Sequence, residues 1–493
     1  MASLDEIRTA RLAKIETLKN AGMNPYSPSV PRDMSLADAA QDFSEINETD
    51  KPVSLAGRVM AIRGSGAIMF VVLREGNHDF QAVLKKDEID TEKFALFQDA
   101  VDMGDWISVT GPLFVTQKGQ ESILINDWTM GSKSLLPMPE KWAGLTDDDE
   151  RMRKRYLEII SDTDVYDRFA MRTKIVTAIR TFMDDRDFME IETPILQTQA
   201  GGAMAQTFKT HHNDYDMDMV LRISLELEHK MLMTAGYPRI YEIGKNFRNE
   251  GSDPTHIQEF TMMEWYAAFA TLEDNMTWTQ ELLKHLASDI IGKTEFTVTD
   301  ADGNNTTVDF AGDWPRVKFG DLVMKNVGID ITSASDGDVA DKAIGLGMDK
   351  TEAGKTGRAN LLDFIYKKTS RNKIINPTFV TDYPGNLKPL AQQNDDGTAR
   401  VAQLIIAGAE ITNQYAELTD PVRQRELLKT QSDAKSAGDA EAMEIDERFL
   451  TAMEHGMPPM TGFGMGIDRL VAILTEQKNL RDIIFSPIMK TKE

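Results

Sequence analysis

Two segments carry the residues best suited to chemistry. The first, FRNEGSDPTHIQEFTMMEWY at residues 247–266, sets Arg248 and Glu250 at the opening of a polar loop and closes on an apolar run. The second, MPPMTGFGMGIDRLVAIL at residues 457–474, alternates Gly462, Gly464 and Gly466 and places Arg469 just after them. A guanidinium stays charged and grips oxyanions at two points, so arginines in such loops point to phosphate or carboxylate chemistry. Alternate glycines leave one strand face bare, and a flat ligand can lie against the backbone there. Arg469 in the first turn of a following helix would suit phosphate. Neither segment decides the matter alone. The first also fits an ordinary hairpin with a solvated charged tip. The second also fits a strand packed on another backbone, and its glycine spacing is not that of a dinucleotide-binding fold.

These residues need elements to hold them. IYEIGKNF and EFTMMEWY, joined through Gly251-Ser252-Asp253-Pro254, predict a hairpin. Upstream, Ile175, Val176, Ile179, Phe182 and Met183 recur at helical spacing, and FMEIETPIL predicts a strand ending at Pro194. A second hairpin is expected at 296–310, and weak helices mixed with Gly and Asp across about 320–375 predict an insertion. Residues 132–150 read as a linker, so the main α/β body is expected at 151–493. Before it, short alternating strands and an inserted helix, TEKFALFQDAV, make the five-strand pattern of an oligonucleotide-binding barrel over 51–131. A small β barrel without a ligand would read the same way. Residues 1–50 predict a helical extension, with Ile7, Leu12, Ile15 and Leu18 near one face.

Composition sets outer bounds. A chain of 493 residues calls for two or three domains. The net charge of −24 weighs against a nucleic-acid partner, but residues 51–145 hold 10 Lys and Arg against 12 Asp and Glu, leaving that stretch at −2. The absence of cysteine removes disulfides, thiolate metal sites and cysteine nucleophiles together. No apolar run reaches the length of a bilayer span, and the N-terminus lacks a signal peptide's apolar core. A cytoplasmic protein with no membrane partner is expected.

Together the segments resemble the class II aminoacyl-tRNA synthetases, and among them the lysine-specific family, over almost the whole chain. Residues 171–196 with Pro194 are similar to that family's first motif at its dimer interface, 247–266 to its second, and 462–474 to its third. The fold class this implies is α+β and multidomain. An N-terminal oligonucleotide-binding β-barrel for the anticodon would precede a class II catalytic domain built on an antiparallel sheet flanked by helices. The implied reaction is ATP-dependent ligation of L-lysine to tRNA(Lys) through a lysyl-adenylate, carried out by a homodimer. Attack of a carboxylate on the α-phosphorus needs no side-chain nucleophile, so positioning and charge stabilisation suffice.

The resemblance also implies roles residue by residue. Arg248 would meet the α-phosphate and the substrate carboxylate, and Arg469 the γ-phosphate. Glu250 and His256 would contact the nucleotide, and Phe260 would stack on adenine. Glu417 and Tyr266 would receive the lysine ε-ammonium; Glu226, Glu264 and the backbone at Gly202 would hold the α-ammonium. Asn413 would bind the carboxylate and Tyr415 would wall the pocket. Glu410 would bind Mg2+, while the acid expected seven residues earlier is Gln403. In the barrel, Arg63, Phe70 and Gln81 would read the anticodon, although Phe70 could equally be barrel core. Departures from the family pattern are Gln120 (followed by Glu121) where a glutamate is expected, Ser224-Leu225, Ile257-Gln258 and Lys388. A synthetase for aspartate or asparagine would want a basic residue in place of Glu417. A paralogue that modifies protein lysines would lack the barrel, and a regulatory homologue would lose Arg248 or Arg469.

Overall fold

The computed structural model describes residues 3–492 except 65, 140–144, 146, 204, 300–302 and 437–444, so part of the expected linker lies outside the described residues. The chain forms two compact units, one of residues 1–167 with 488–493 and one of residues 168–487. This division falls at 167 rather than at the 150 read from sequence. Within the first unit the Arg74 guanidinium donates to the Ile160 carbonyl at 3.2 Å and Asn77 donates to Asp167 at 2.5 Å, which ties residues 148–167 to the barrel.

The first unit opens on the helix Leu4–Asn20, started by a reciprocal cap in which Ser3 and Glu6 each bond the other's backbone N–H. Ile15 and Leu18 are buried as expected, but Leu12 is exposed. Arg11 takes the inner face instead, donating to Ser134 Oγ at 2.7 Å and to the Leu136 carbonyl at 2.9 Å. A polar side chain with enough partners can thus displace an apolar one from a helix face.

The barrel strands are β1 (Val53–Arg63), β2 (Ile68–Glu75), β3 (His78–Lys85), β4 (Trp106–Gly111), β5 (Leu113–Val115), β6 (Glu121–Leu124) and β7 (Asp127–Ser132), in sheet order β5-β6-β3-β2-β1-β4-β7. The helix Thr91–Ala100 joins β3 to β4. Five expected strands have become seven. Pro112 cannot donate to a ladder and splits the fourth. At the second break, Ile125 and Asn126 bond to different neighbours, Val83 and Thr110. Leu55, Val71, Leu73, Ala82, Phe97, Val109 and Trp128 fill the interior.

The second unit is built on one eight-stranded sheet. Its strands are β8 (Met189–Glu190), β9 (Leu196–Gln197), β10 (Lys209–His212), β11 (Met217–Leu221), β12 (Arg239–Phe247), β13 (Glu259–Ala268), β14 (Glu295–Thr299), β15 (Asn305–Asp309), β16 (Arg316–Lys318), β17 (Thr378–Pro384), β18 (Thr398–Ile406), β19 (Ala409–Ala416) and β20 (Met460–Gly466). The large sheet runs β16-β17-β18-β19-β20-β13-β12-β8. It is antiparallel except where β16 meets β17 and β12 meets β8. Strands β14 and β15 pair with each other as the expected second hairpin. Helices Phe319–Val327, Asp336–Gly345 and Arg358–Thr369 pack through Phe319, Val323, Val339 and Ile365 onto Val380 and Val401 of β17 and β18.

Two local expectations need correction. The strand expected to end at Pro194 is cut to Met189–Glu190. The Thr193 N–H bonds the Glu242 carboxylate at 3.0 Å instead of a neighbouring strand, and Pro194 has no N–H to resume the ladder. In the central hairpin the tight turn lies at residues 253–256, not 251–254. Asp253 and His256 exchange both backbone bonds across Pro254 and Thr255, since proline presets the dihedral of a turn's second position.

Candidate active site

The alternation of β20 explains its glycines. Phe463 and Met465 point into the core on one side of the sheet, and Trp265 of β13 stacks on Phe463 with ring centres 3.4 Å apart. Successive side chains of a strand face opposite sides, so Gly462, Gly464 and Gly466 all face the other way. There the register aligns them with functional neighbours. Gly464 lies between Glu264 of β13 and Asn413 of β19, and Gly462 between Tyr266 and Tyr415. The result is a bare floor flanked by polar walls.

Over this floor is a cavity of about 360 Å³ lined by all thirteen residues that the sequence reading placed in the catalytic domain. The second and third motifs are joined beneath it. Asp468, in the first turn of the helix Ile467–Leu474, accepts the Thr261 N–H at 2.7 Å and pairs with Arg172 at 2.7 Å. Arg172 belongs to the long helix Thr163–Asp184, so one carboxylate fixes three elements.

The phosphate-suited arginines sit at separate points of the cavity. Arg248 follows the end of β12, donates to the Ile223 carbonyl at 3.4 Å, and lies 5.2 Å from the centre of the Phe260 ring. Arg469 anchors on the Glu410 carbonyl at 2.6 Å. Burial lowers the pKa of both, with Glu250 and Glu264 opposing it at Arg248 and Glu410 at Arg469. Neither guanidinium has a carboxylate within ion-pair distance among the described residues, so both can accept an anionic ligand. Glu250 accepts the Gln206 N–H at 3.3 Å, and the exposed His256 ring is held by Asp253 at 2.9 Å.

The opposite end is acidic. Glu226, Glu264 and Glu417 are all buried against the cavity. Glu264 accepts from Ser224 Oγ at 3.2 Å, from the Leu225 N–H at 3.3 Å and from Tyr266 at 3.2 Å. Burial pushes its pKa up to about 7, with the charge of Glu226 adding to the effect. Gly202, at a φ of 81°, runs so close that a Cβ there would stand 3.0 Å from Glu226 Cβ. Gly462 serves Glu417 in the same way, since a Cβ would stand 2.0 Å from its Oε1. Asn413 donates to the Tyr415 hydroxyl at 2.6 Å and accepts from Gln403 at 3.3 Å.

Among the described residues no cluster of three His, Cys, Asp or Glu side chains forms a metal cage. Glu410 offers a carboxylate beside Arg469, and the Gln403 amide is engaged by Asn413. One carboxylate fits a magnesium ion that takes its remaining ligands from phosphate oxygens and water.

In the barrel, Arg63 pairs with Phe70 across β1 and β2, Phe70 with Val83, and Val72 with Gln81 across β2 and β3. Phe70 is 39% exposed and alternates with buried Met69 and Val71, so it faces outward and is not core. Gln81 donates to Ser122 Oγ at 2.8 Å. The three residues share one outer face.

Sequence reading passed over one cation at the site, Lys230, and noted another, Lys388, only as a departure from the family pattern. Lys230 lies one turn beyond Glu226, a spacing that marks an ion pair on a helix. Lys388 lines the cavity with its Nζ 5.5 Å from the centre of the Tyr383 ring and 5.9 Å from that of Tyr415. Burial lowers its pKa against the pull of Glu410.

An antiparallel sheet that carries an arginine-bearing hairpin beside a glycine strand and helix defines a class II synthetase catalytic unit. Residues 147–490 match the family model for class II tRNA synthetases (D, K and N), and residues 53–130 match that for the OB-fold nucleic acid binding domain. The chain is 39% identical to the lysine–tRNA ligase of Nostoc sp. (strain PCC 7120), over 99% of this chain and 88% of that one. It is 38% identical to the lysine–tRNA ligase of Carboxydothermus hydrogenoformans, over 99% of both. For that of Synechococcus sp. (strain RCC307) the identity is 40%, over 99% of this chain and 97% of the relative. The chain belongs to the class II tRNA synthetases, within the family of these lysine–tRNA ligases.

Proposed function

We propose that the chain activates L-lysine with ATP and transfers it to tRNA(Lys), acting as a homodimer in the cytoplasm. The observation that carries the substrate assignment is the closed acidic end of the cavity, where Glu226, Glu264 and Glu417 lie buried around Tyr266. Buried carboxylates are costly unless countercharged, and a substrate with two ammonium groups supplies that charge.

In this reading the lysine carboxylate oxygen attacks the α-phosphorus of ATP and pyrophosphate leaves with the bond electrons. Arg248 holds the α-phosphate and the carboxylate together, and Arg469 holds the γ-phosphate. Phe260 and the bare face of β20 sandwich the adenine, while Glu250 and His256 contact the nucleotide. Glu226 and Glu264, beside Gly202, take the α-ammonium; Glu417 and Tyr266 take the ε-ammonium. Asn413 contacts the carboxylate and Tyr415 closes the side of the pocket. Glu410 would hold Mg2+, which offsets charge on the departing pyrophosphate. A hydroxyl at the tRNA terminus then attacks the acyl carbon and releases AMP. Arg63, Phe70 and Gln81 meet the anticodon on the barrel's outer face, where an exposed aromatic suits an unpaired base.

Homodimer formation draws support from exposed apolar side chains on either side of Pro194 in the chain: Met189 on β8, an edge strand of the large sheet, and Ile195 and Leu196 at β9, an edge strand of the three-stranded sheet. No helix among the described residues is long and apolar enough to cross a membrane. The test is amino-acid-dependent ATP–pyrophosphate exchange with lysine, aspartate and asparagine in parallel. Exchange with lysine alone is expected; exchange only with aspartate or asparagine would refute the specificity, and none at all would refute the activity.

A further inference from the structure

If Glu226 and Glu417 meet the substrate's ammonium groups, as proposed above, their shared neighbour needs a role. Lys230 is fully buried on the helix Glu226–Thr234. Its Nζ lies 2.7 Å from Glu226 Oε1 and 2.5 Å from Glu417 Oε2, the latter an ionic contact without hydrogen-bond alignment. The Leu390 carbonyl is 3.5 Å away and the centre of the Phe449 ring 5.9 Å. The ammonium does not line the cavity, whereas both carboxylates do.

The geometry divides the two acids. One oxygen of each is taken by Lys230 from behind. The other, Oε2 of Glu226 and Oε1 of Glu417, has no protein donor among the described residues, and Oε1 leans on the bare Cα of Gly462. Glu226 comes from a helix and Glu417 from the chain just beyond β19, so Lys230 also bridges two elements.

We infer that Lys230 is the positioning residue for lysine specificity: it clamps one oxygen of each acid and turns the other toward the substrate's ammonium groups. The charge balance agrees. Glu226, Glu264 and Glu417 crowd one end of the cavity, and Lys230 offsets only part of their charge, so a ligand bearing ammonium groups is favoured there. Without Lys230 the pocket would hold three carboxylates in a low-dielectric space, and at least one would take up a proton. Glu417 is the one most exposed to that outcome. It faces Lys230 and Glu226 from the helix, Glu264 and Tyr266 from β13, and Tyr415 from β19; Lys388 faces Glu226 from the segment before Pro389. Burial drives its pKa up, and the charge of Lys230 is the main force against that.

The test compares wild type with Lys230→Met and Lys230→Arg in pyrophosphate exchange from pH 6.5 to 9, with thermal melts as the check on folding. Relative to wild type at the same pH, the lysine KM of Lys230→Met should be at least tenfold higher at pH 7, and that ratio should shrink as pH rises and Glu417 ionises, while the KM for ATP stays within about twofold. Discrimination between lysine and norleucine, which lacks the ε-ammonium, should narrow in the same variant. Lys230→Arg keeps the charge but not the point geometry, so its lysine KM should exceed that of wild type by the same factor at every pH. A merely structural lysine would lower the melting temperature without producing this split. A folded Lys230→Met whose lysine KM matches wild type at every pH would overturn the inference. Should that variant not fold, a Lys230→Arg enzyme with wild-type lysine KM at every pH would overturn it equally. Wild-type exchange is the separate control: its absence removes the functional reading, whereas normal wild-type exchange with unaffected variants removes only the role of Lys230.

Discussion

Replacing Gly464 by alanine tests the site most directly, because the protein and the ligand should respond in opposite ways. A Cβ at Gly464 would meet Met262 Cε at 3.5 Å, Glu264 Cγ at 3.7 Å and the Asn413 carbonyl at 3.9 Å, all ordinary contacts. Nothing in the protein has to move. A glycine inside a strand costs roughly 0.5–1 kcal/mol relative to alanine, so Gly464→Ala should melt no lower than wild type and slightly higher if anything. The new methyl, however, stands on the bare strand face between Glu264 and Asn413, beside the proposed lysine head group and on the same face where a flat base would rest. Lifting the base off that surface forfeits stacking of about 1–3 kcal/mol, so the KM for ATP should rise roughly five- to 150-fold.

The assay is ATP-dependent pyrophosphate exchange at saturating lysine, paired with thermal denaturation. Gly462→Ala supplies the contrast two residues away. There the Cβ would stand 2.0 Å from Glu417 Oε1 and 2.6 Å from Tyr266 Cε1, so the melting temperature should fall and the KM for lysine should rise. An unchanged ATP KM in a stable Gly464→Ala would refute the claim that the bare strand face is the nucleotide floor.

The remaining expectations concern the barrel and the acidic end. Phe70→Ala should leave pyrophosphate exchange and the melting temperature unchanged, since the ring is 39% exposed and outside the barrel core. The KM for tRNA in aminoacylation should rise about tenfold, as loss of one base stack predicts; equal loss in both assays would point to a folding defect instead. Because burial holds Glu264 up at about 7, the free protein carries it partly protonated at neutral pH, and an arriving ammonium favours the carboxylate. Lysine binding near pH 7 should therefore release protons, seen by calorimetry in buffers of different ionisation enthalpy, and the lysine KM should fall as pH rises from 6 to 8. The sign for stability is opposite: the raised carboxyl stabilises the free fold below about 4.5 and loses that contribution as pH climbs through about 7. Proton uptake on lysine binding would contradict the assignment.

How far the site could be read in advance follows from the physics of each signal. The central hairpin and the glycine strand were legible because their chemistry is local in sequence: an arginine, a turn and alternate glycines occupy a few adjacent positions. Their meeting across the sheet was legible only through resemblance, since β12, β13 and β20 are neighbours in space but β20 lies some two hundred residues further along the chain. What escaped was set by side-chain partners rather than by pattern. The strand before Pro194 looked long because apolar residues recur from Phe188 to Leu196, yet Glu242 captures Thr193 and ends it. Arg11 displaces Leu12 from a helix face because Ser134 and Leu136, more than a hundred residues away, satisfy its guanidinium.

Lys230 is the instructive case. A lysine four residues after a glutamate reads as a weak surface pair when taken alone. Its weight comes from Glu417, which arrives from the far side of the sheet and turns a helix pair into a buried bridge. The acids of this site announced a cationic ligand in the sequence. The protein's own cation, which offsets part of that negative charge, became visible only when the helix Glu226–Thr234 and the end of β19 were brought together.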